Sequence, residues 1–82
     1  MPAQRLDILC WFDEGVRKGA SHLIVVCDTF DWDDYPVYVM PGEDARKKKE
    51  EHDGPNMQKV MEVYDLSKDK TQQLDQRRVF NY

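Results

Sequence analysis

The chain carries only two cysteines, Cys10 and Cys27, and they belong to no CxxC or Cys/His pattern. That excludes a disulfide framework and a zinc site built on thiolates. Both fall at apolar positions of predicted elements, where free thiols pack as small hydrophobes. No apolar run approaches the length of a membrane span, and the opening "MPAQRLDILCWFDEG" acquires acidic residues within its first turns. Neither a membrane partner nor a signal peptide is therefore expected. The expected setting is the cytoplasm, with both thiols reduced.

An excess of cations is also missing. The formal net charge is −4, which argues against duplex nucleic acid, because phosphate contacts need a basic surface. A small nucleotide held by a few local cations is not excluded on that ground. No GxSxG, Walker, GxGxxG or HExxH pattern is present. No catalytic residue, cofactor or metal is assigned.

What the sequence does contain is enough apolar material for one small domain spanning 1–82. Hydrophobic residues make up 40% and aromatics 11%, against 34% charged, a balance that favours folding over disorder. A chain of this size buries only roughly 60–65% of its unfolded surface, so added buried area matters.

The order of elements follows from periodicity. In "QRLDILCWFDEGVRK" (4–18), Leu6, Leu9, Cys10, Phe12 and Val16 form one broad helical stripe, with Trp11 off it. Gly15 costs this helix about 1 kcal/mol relative to Ala, and Gly19 is placed to stop it in the left-handed conformation. "HLIVVCDTF" (22–30) is apolar on both faces, as expected of a central strand covered on both sides.

A turn leads to a second strand from Tyr35 to Met40, which Pro36 restricts to a strand start or an edge. "EDARKKKEEH" (43–52) has the charge order of a helix but only Ala45 as an apolar residue. It reads as a solvated helix or an excursion. A third strand covers 58–65. A short helix after Ser67 offers Leu74 as its buried residue, and the aromatic ending "VFNY" is expected to dock.

The expected fold is α+β. It has a small antiparallel three-stranded sheet, an amphipathic N-terminal helix on one face, and short helices after strands 2 and 3. Two apolar sheet faces against one amphipathic helix favour a homo-oligomer.

Three groups of residues invite a functional reading. The stretch "VCDTFDWDDY" interleaves Asp28, Asp31, Asp33 and Asp34 with Phe30, Trp32 and Tyr35. Its spacing departs from a calcium loop, which needs a Gly and a distal Glu. A solvated turn remains open beside a binding loop, in which rings stack a base and a carboxylate holds ribose hydroxyls. The cations cluster at Arg46–Lys49 and at Arg77 and Arg78. Either cluster is a solvated face or a phosphate clamp, and guanidinium groups grip diphosphates in bidentate fashion. His22 and His52 are the two candidates for acid/base work. His22 and Asp28 lie six residues apart, about 20 Å along one strand, too far for a dyad.

"GASHLIVVCDTFDWDDYPVYVMPGED", "GPNMQKVMEVYDL" and "QRRVFNY" together resemble a family of small bacteriophage-encoded proteins. By analogy these are similar to anti-defence "sponge" proteins. The resemblance implies a homo-oligomer in the host-cell cytoplasm that sequesters a nucleotide immune signal without catalysis. The signal would be an ADP-ribose derivative or a cyclic oligonucleotide. On the side-chain chemistry set out above, the ligand-binding residues are expected to be Asp28, Phe30, Trp32, Tyr35, Arg46, Arg77 and Arg78. The alternatives are a small phosphodiesterase using His22 or His52, with a metal on the Asp28–Asp34 loop, and a protein inhibitor of a host factor.

Overall fold

A computed structural model describes residues 5–54, 57–75 and 79–82. Six elements follow in chain order: α1 (Arg5–Lys18), β1 (His22–Asp28), β2 (Asp33–Val39), α2 (Ala45–Glu51), β3 (Gln58–Asp65) and α3 (Lys70–Leu74). The strands form one antiparallel sheet in the order β2-β1-β3. The chain is thus α+β, with the two-faced strand at the centre. Pro36 sits inside β2 opposite Val25, which is tolerated because β2 is an edge strand and one missing N–H faces outward.

One face of the sheet presents Leu23, Val25 and Tyr64 to α1. The helix meets them with Ile8, Trp11, Phe12 and Gly15, at spacings i, i+3, i+4 and i+7. This corrects the stripe read from the sequence. Leu6, Val16 and Cys10 are exposed, whereas Ile8 and Phe12 are buried and Trp11 packs against the core. The two stripes overlap at Phe12, and the sheet selects the one in which a glycine permits close approach. A Cβ at Gly15 would lie 2.7 Å from Leu66 Cδ1 and 3.0 Å from Tyr38 Cε1. The helical cost of Gly15 therefore goes with tight contact between helix and sheet. Tyr38 also donates a hydrogen bond to the Trp11 carbonyl (3.2 Å). Gly19, at φ +78°, ends α1 as expected, its N–H donating to Val16 O at 3.1 Å.

The opposite face carries Ile24, Val26, Val39, Val60 and Val63, all buried within the single chain. Its cover is α2, capped by Asp44, whose carboxylate accepts from the N–H groups of Arg46 and Lys47. Ala45 is its one buried residue, and Lys48, Lys49 and His52 follow at i+3, i+4 and i+7, all half-buried. Lysine stems can cover apolar surface while their ammonium groups reach water. Both faces of the sheet are thus covered within one chain, by α1 and by α2.

The ending "VFNY" docks as expected. Val63 N–H donates to Val79 O (2.6 Å) and Asn81 N–H to Val63 O (3.0 Å), a short parallel bridge along the free edge of β3. Val79 is buried in the α1-side core. Phe80 and Tyr82 lie under the cations of α2, with Lys49 Nζ 6.0 Å and Arg46 Cζ 4.8 Å from the ring centroids. Among the described residues no helix is long and apolar enough to cross a membrane.

Candidate functional site

The residues singled out in the sequence fall at two ends of the sheet. Asp28, Phe30, Trp32 and the start of β2 form the hairpin end. Asp28 pairs with Asp33 across the hairpin, and its carboxylate accepts from Phe30 N–H (2.9 Å), an Asx-type turn. Tyr35 pairs with Val26 and packs against the α2-side core, so it is no free stacking platform. Burial, and then the nearby Asp28 carboxylate, push its hydroxyl pKa up.

Arg46 lies elsewhere, at the start of α2 and against Tyr82. Arg77 and Arg78 lie outside the described residues. The loop aromatics and Arg46 therefore do not converge on one pocket. The two histidines are also apart. His52 Nδ1 is 3.2 Å from Gln58 Oε1, beside the hairpin end, and His22 opens β1 at the other.

It is the His22 end that is concave. A recess of about 320 Å³ lies between the last turn of α1 and the ends of β1 and β3. Its polar lining is Ser21, His22, Asp65, Ser67 and Tyr82, and its apolar wall includes Val16 and Leu66. Sheet register builds it, because His22 pairs with Asp65 on one side and Val39 on the other. Ser21 is tied to the end of β2, its N–H (2.7 Å) and its hydroxyl (3.1 Å) both donating to Val39 O.

Ser21 Oγ also lies 2.9 Å from His22 Nδ1, and which of the two donates depends on the tautomer of the ring. Nε2 is shut from solvent and has no hydrogen-bond partner among the described residues. A buried group left in this way costs about 1–3 kcal/mol.

Asp65 is held as a carboxylate. Burial alone pushes its pKa up. The Ser67 hydroxyl and N–H, together with His22 and Lys68, outweigh burial and bring it below the ordinary value. Ser67 Oγ and N donate to Asp65 Oδ1 at 2.6 and 2.9 Å. The Asp65 backbone is clamped by the buried Gln73. The Gln73 amide donates to Asp65 O (2.8 Å) and Asp69 O (3.1 Å), and accepts from Asp65 N–H (2.8 Å) and Asn81 Nδ2 (3.0 Å).

Sequence reasoning missed Asp65, Ser67, Tyr82 and Gln73. Only antiparallel pairing of the starts and ends of distant strands brings them to His22, and "VFNY" alone hinted that the C-terminus takes part. Among the described residues no group of three or more His, Cys, Asp or Glu side chains is arranged to hold a metal ion. No protein family, curated protein or solved structure matches this chain.

Proposed function

We propose that the protein binds and sequesters a nucleotide-type ligand in the His22–Asp65 recess and does not turn it over. The observation that carries this reading is the open recess itself, whose polar lining gathers Ser21, His22, Asp65, Ser67 and Tyr82 at one end of the sheet. Ribose hydroxyls and exocyclic amines are the donors that such a lining can accept from. Asp65 is an ionised acceptor of the kind that holds a diol. Tyr82 lines the recess with an aromatic ring, and the guanidinium stacked on that ring, from Arg46, is a local cation for phosphate.

Sequestration is favoured over hydrolysis by the Ser21 hydroxyl. It is engaged with a strand carbonyl, Val39 O, and so is not presented as a free nucleophile. The identity of the ligand as an immune signal, an ADP-ribose derivative or a cyclic oligonucleotide, rests on the resemblance to phage-encoded proteins. The host-cell cytoplasm is the corresponding location. Self-association is not required by this reading.

Native mass spectrometry and calorimetry with ADP-ribose and with cyclic dinucleotides test it. The expected result is a complex from which heat releases the compound unchanged. Arg46→Ala should weaken binding roughly tenfold to a hundredfold, the cost of one charge-assisted hydrogen bond at about 1.5–3 kcal/mol. A cleaved product would establish the phosphodiesterase reading instead. Loss of binding in Arg77→Ala or Arg78→Ala, with Arg46→Ala and Tyr82→Ala unaffected, would move the phosphate site to the segment before Val79.

A further inference from the structure

The hairpin end, remote from the recess, exposes three large apolar side chains: Phe30 (72% accessible), Trp32 (63%) and Met57 (55%). They belong together. Thr29, between Asp28 and Phe30, donates to the Met57 carbonyl through its N–H (2.8 Å) and its hydroxyl (2.8 Å), which fastens the hairpin to the start of β3. Trp32 and Met57 both hold left-handed backbone, φ +59° and +60°, a conformation that bulky residues avoid. None of the three side chains contributes to either core. An apolar group this exposed on a small chain marks an interaction surface.

The charges around it select the occupant. Asp28, Asp31, Asp33 and Asp34 put four carboxylates in the seven residues from 28 to 34. Anionic lipid and nucleic acid are repelled by such a rim. The chain's own basic cluster on α2 is poorly placed to serve as the partner, because three of its four cations are engaged internally. Lys48 pairs with Glu43, Lys49 with Asp53, and Arg46 stacks on Tyr82. We infer that the Phe30–Trp32–Met57 surface docks a basic segment of another protein, one that interleaves lysine or arginine with large apolar side chains. The apolar trio supplies the contact area, and the aspartates fix orientation and reject acidic competitors.

Selection of random peptides displayed against the native chain tests the inference. Enriched sequences should carry net positive charge and at least one large apolar residue. The best peptide should lose affinity at least tenfold in Phe30→Ala and in Trp32→Ala, and in Asp31→Asn combined with Asp33→Asn. It should bind more weakly as salt is raised. His22→Ala should bind it like the parent, which separates this surface from the recess. Both aromatic side chains lie outside the core, so circular dichroism and melting should be unchanged in the Phe30 and Trp32 variants. Trp32→Gly, which relieves the left-handed backbone, provides a second variant without the ring. Enrichment of neutral or acidic sequences, no enrichment, or unchanged affinity in the aromatic variants would overturn the inference. So would sedimentation showing that the parent self-associates through this patch and that Phe30→Ala abolishes the association.

Discussion

On the face of the sheet that carries Leu23, Val25 and Tyr64, the cover is α1, which brings Ile8, Trp11 and Phe12 into contact and lets Gly15 approach Tyr38. On the face that carries Ile24, Val26 and Val63, the cover is α2, which brings Ala45, two lysines and a histidine. The strand between them is equally dry on both sides, with Leu23 and Ile24 both at 0% exposure. Apolar side chains close the first face, and the second lies under a helix that buries Ala45 and holds its half-buried lysines in ion pairs. Burial of a strand does not require an apolar partner of equal size. A helix whose ammonium groups are held by Glu43 and Asp53 can lay its methylenes on the sheet.

Truncation should expose the contrast most strongly on the α1 side. Phe12 is 3% exposed and packs edge-on against Tyr64, with centroids 6.3 Å apart. Phe12→Ala should cost about 3–5 kcal/mol in urea denaturation. If removing the cover on the α2 side costs as much, the two faces are not closed differently.

Next in size is the polar clamp where the α1-side core meets the C-terminal bridge. Gln73→Leu keeps the volume but strips four hydrogen bonds from Asp65, Asp69 and Asn81. A loss of about 1–3 kcal/mol is expected, because backbone groups of Asp65 are left unpaired. The recess should also loosen, which nucleotide titration of the same variant would report as weaker binding.

These two positions also mark how far the sequence could be read. The central strand, the edge strand with Pro36, the order of the elements and the docked ending were legible, because they follow from local pattern and turn chemistry. The helical face was not. Leu6, Leu9, Cys10, Phe12 and Val16 make an apolar stripe as good as Ile8, Trp11 and Phe12, and only the approach of Tyr38 and Leu66 to Gly15 decides between them. Gln73 was invisible for a different reason. Its partners Asp65 and Asn81 lie eight residues away on either side, and a polar side chain satisfied by tertiary contacts leaves no periodic trace. The recess shares that cause, since the pairing of His22 with Asp65 spans 43 residues of chain. The role of α2 was missed because a lysine was counted as polar, although most of its atoms are methylenes.

That last point yields a sharper experiment on the second face. Lys48 and Lys49 side chains are 25% and 26% exposed. Replacing both by Ala should cost about 1 kcal/mol, on the order of one to two buried methylenes. Replacing both by Met keeps the stems and removes only the charges, and should stay close to the parent in thermal melting, since partly exposed ion pairs contribute about 0–1 kcal/mol. If Met and Ala variants lose the same amount, the charges rather than the stems hold the cover.

Acid should reveal the smallest effect, and on the α2 side. The Glu43 carboxyl is held below its usual pKa by the Met40 N–H and then by Lys48. Asp53 is lowered chiefly by its hydrogen bond from Lys49, which outweighs the opposing effect of burial, with help from Val60 N–H. Both carboxyls therefore bind protons less readily folded than unfolded. Their contribution is complete above the unfolded carboxylate pKa and is lost as pH falls through the lower, folded value. Melting temperatures of the parent and of Asp53→Asn, followed from neutral pH downward, should show a small gap in favour of the parent. The gap should close in acid, where the parent's Asp53 is protonated and Asn reproduces its uncharged form. A gap that persists at the lowest pH would mean that Asp53 supports α2 through something other than its charge, since Asn keeps an oxygen to accept from Val60 N–H (3.2 Å). The ion-pair account of the second face would then fail at its exposed end.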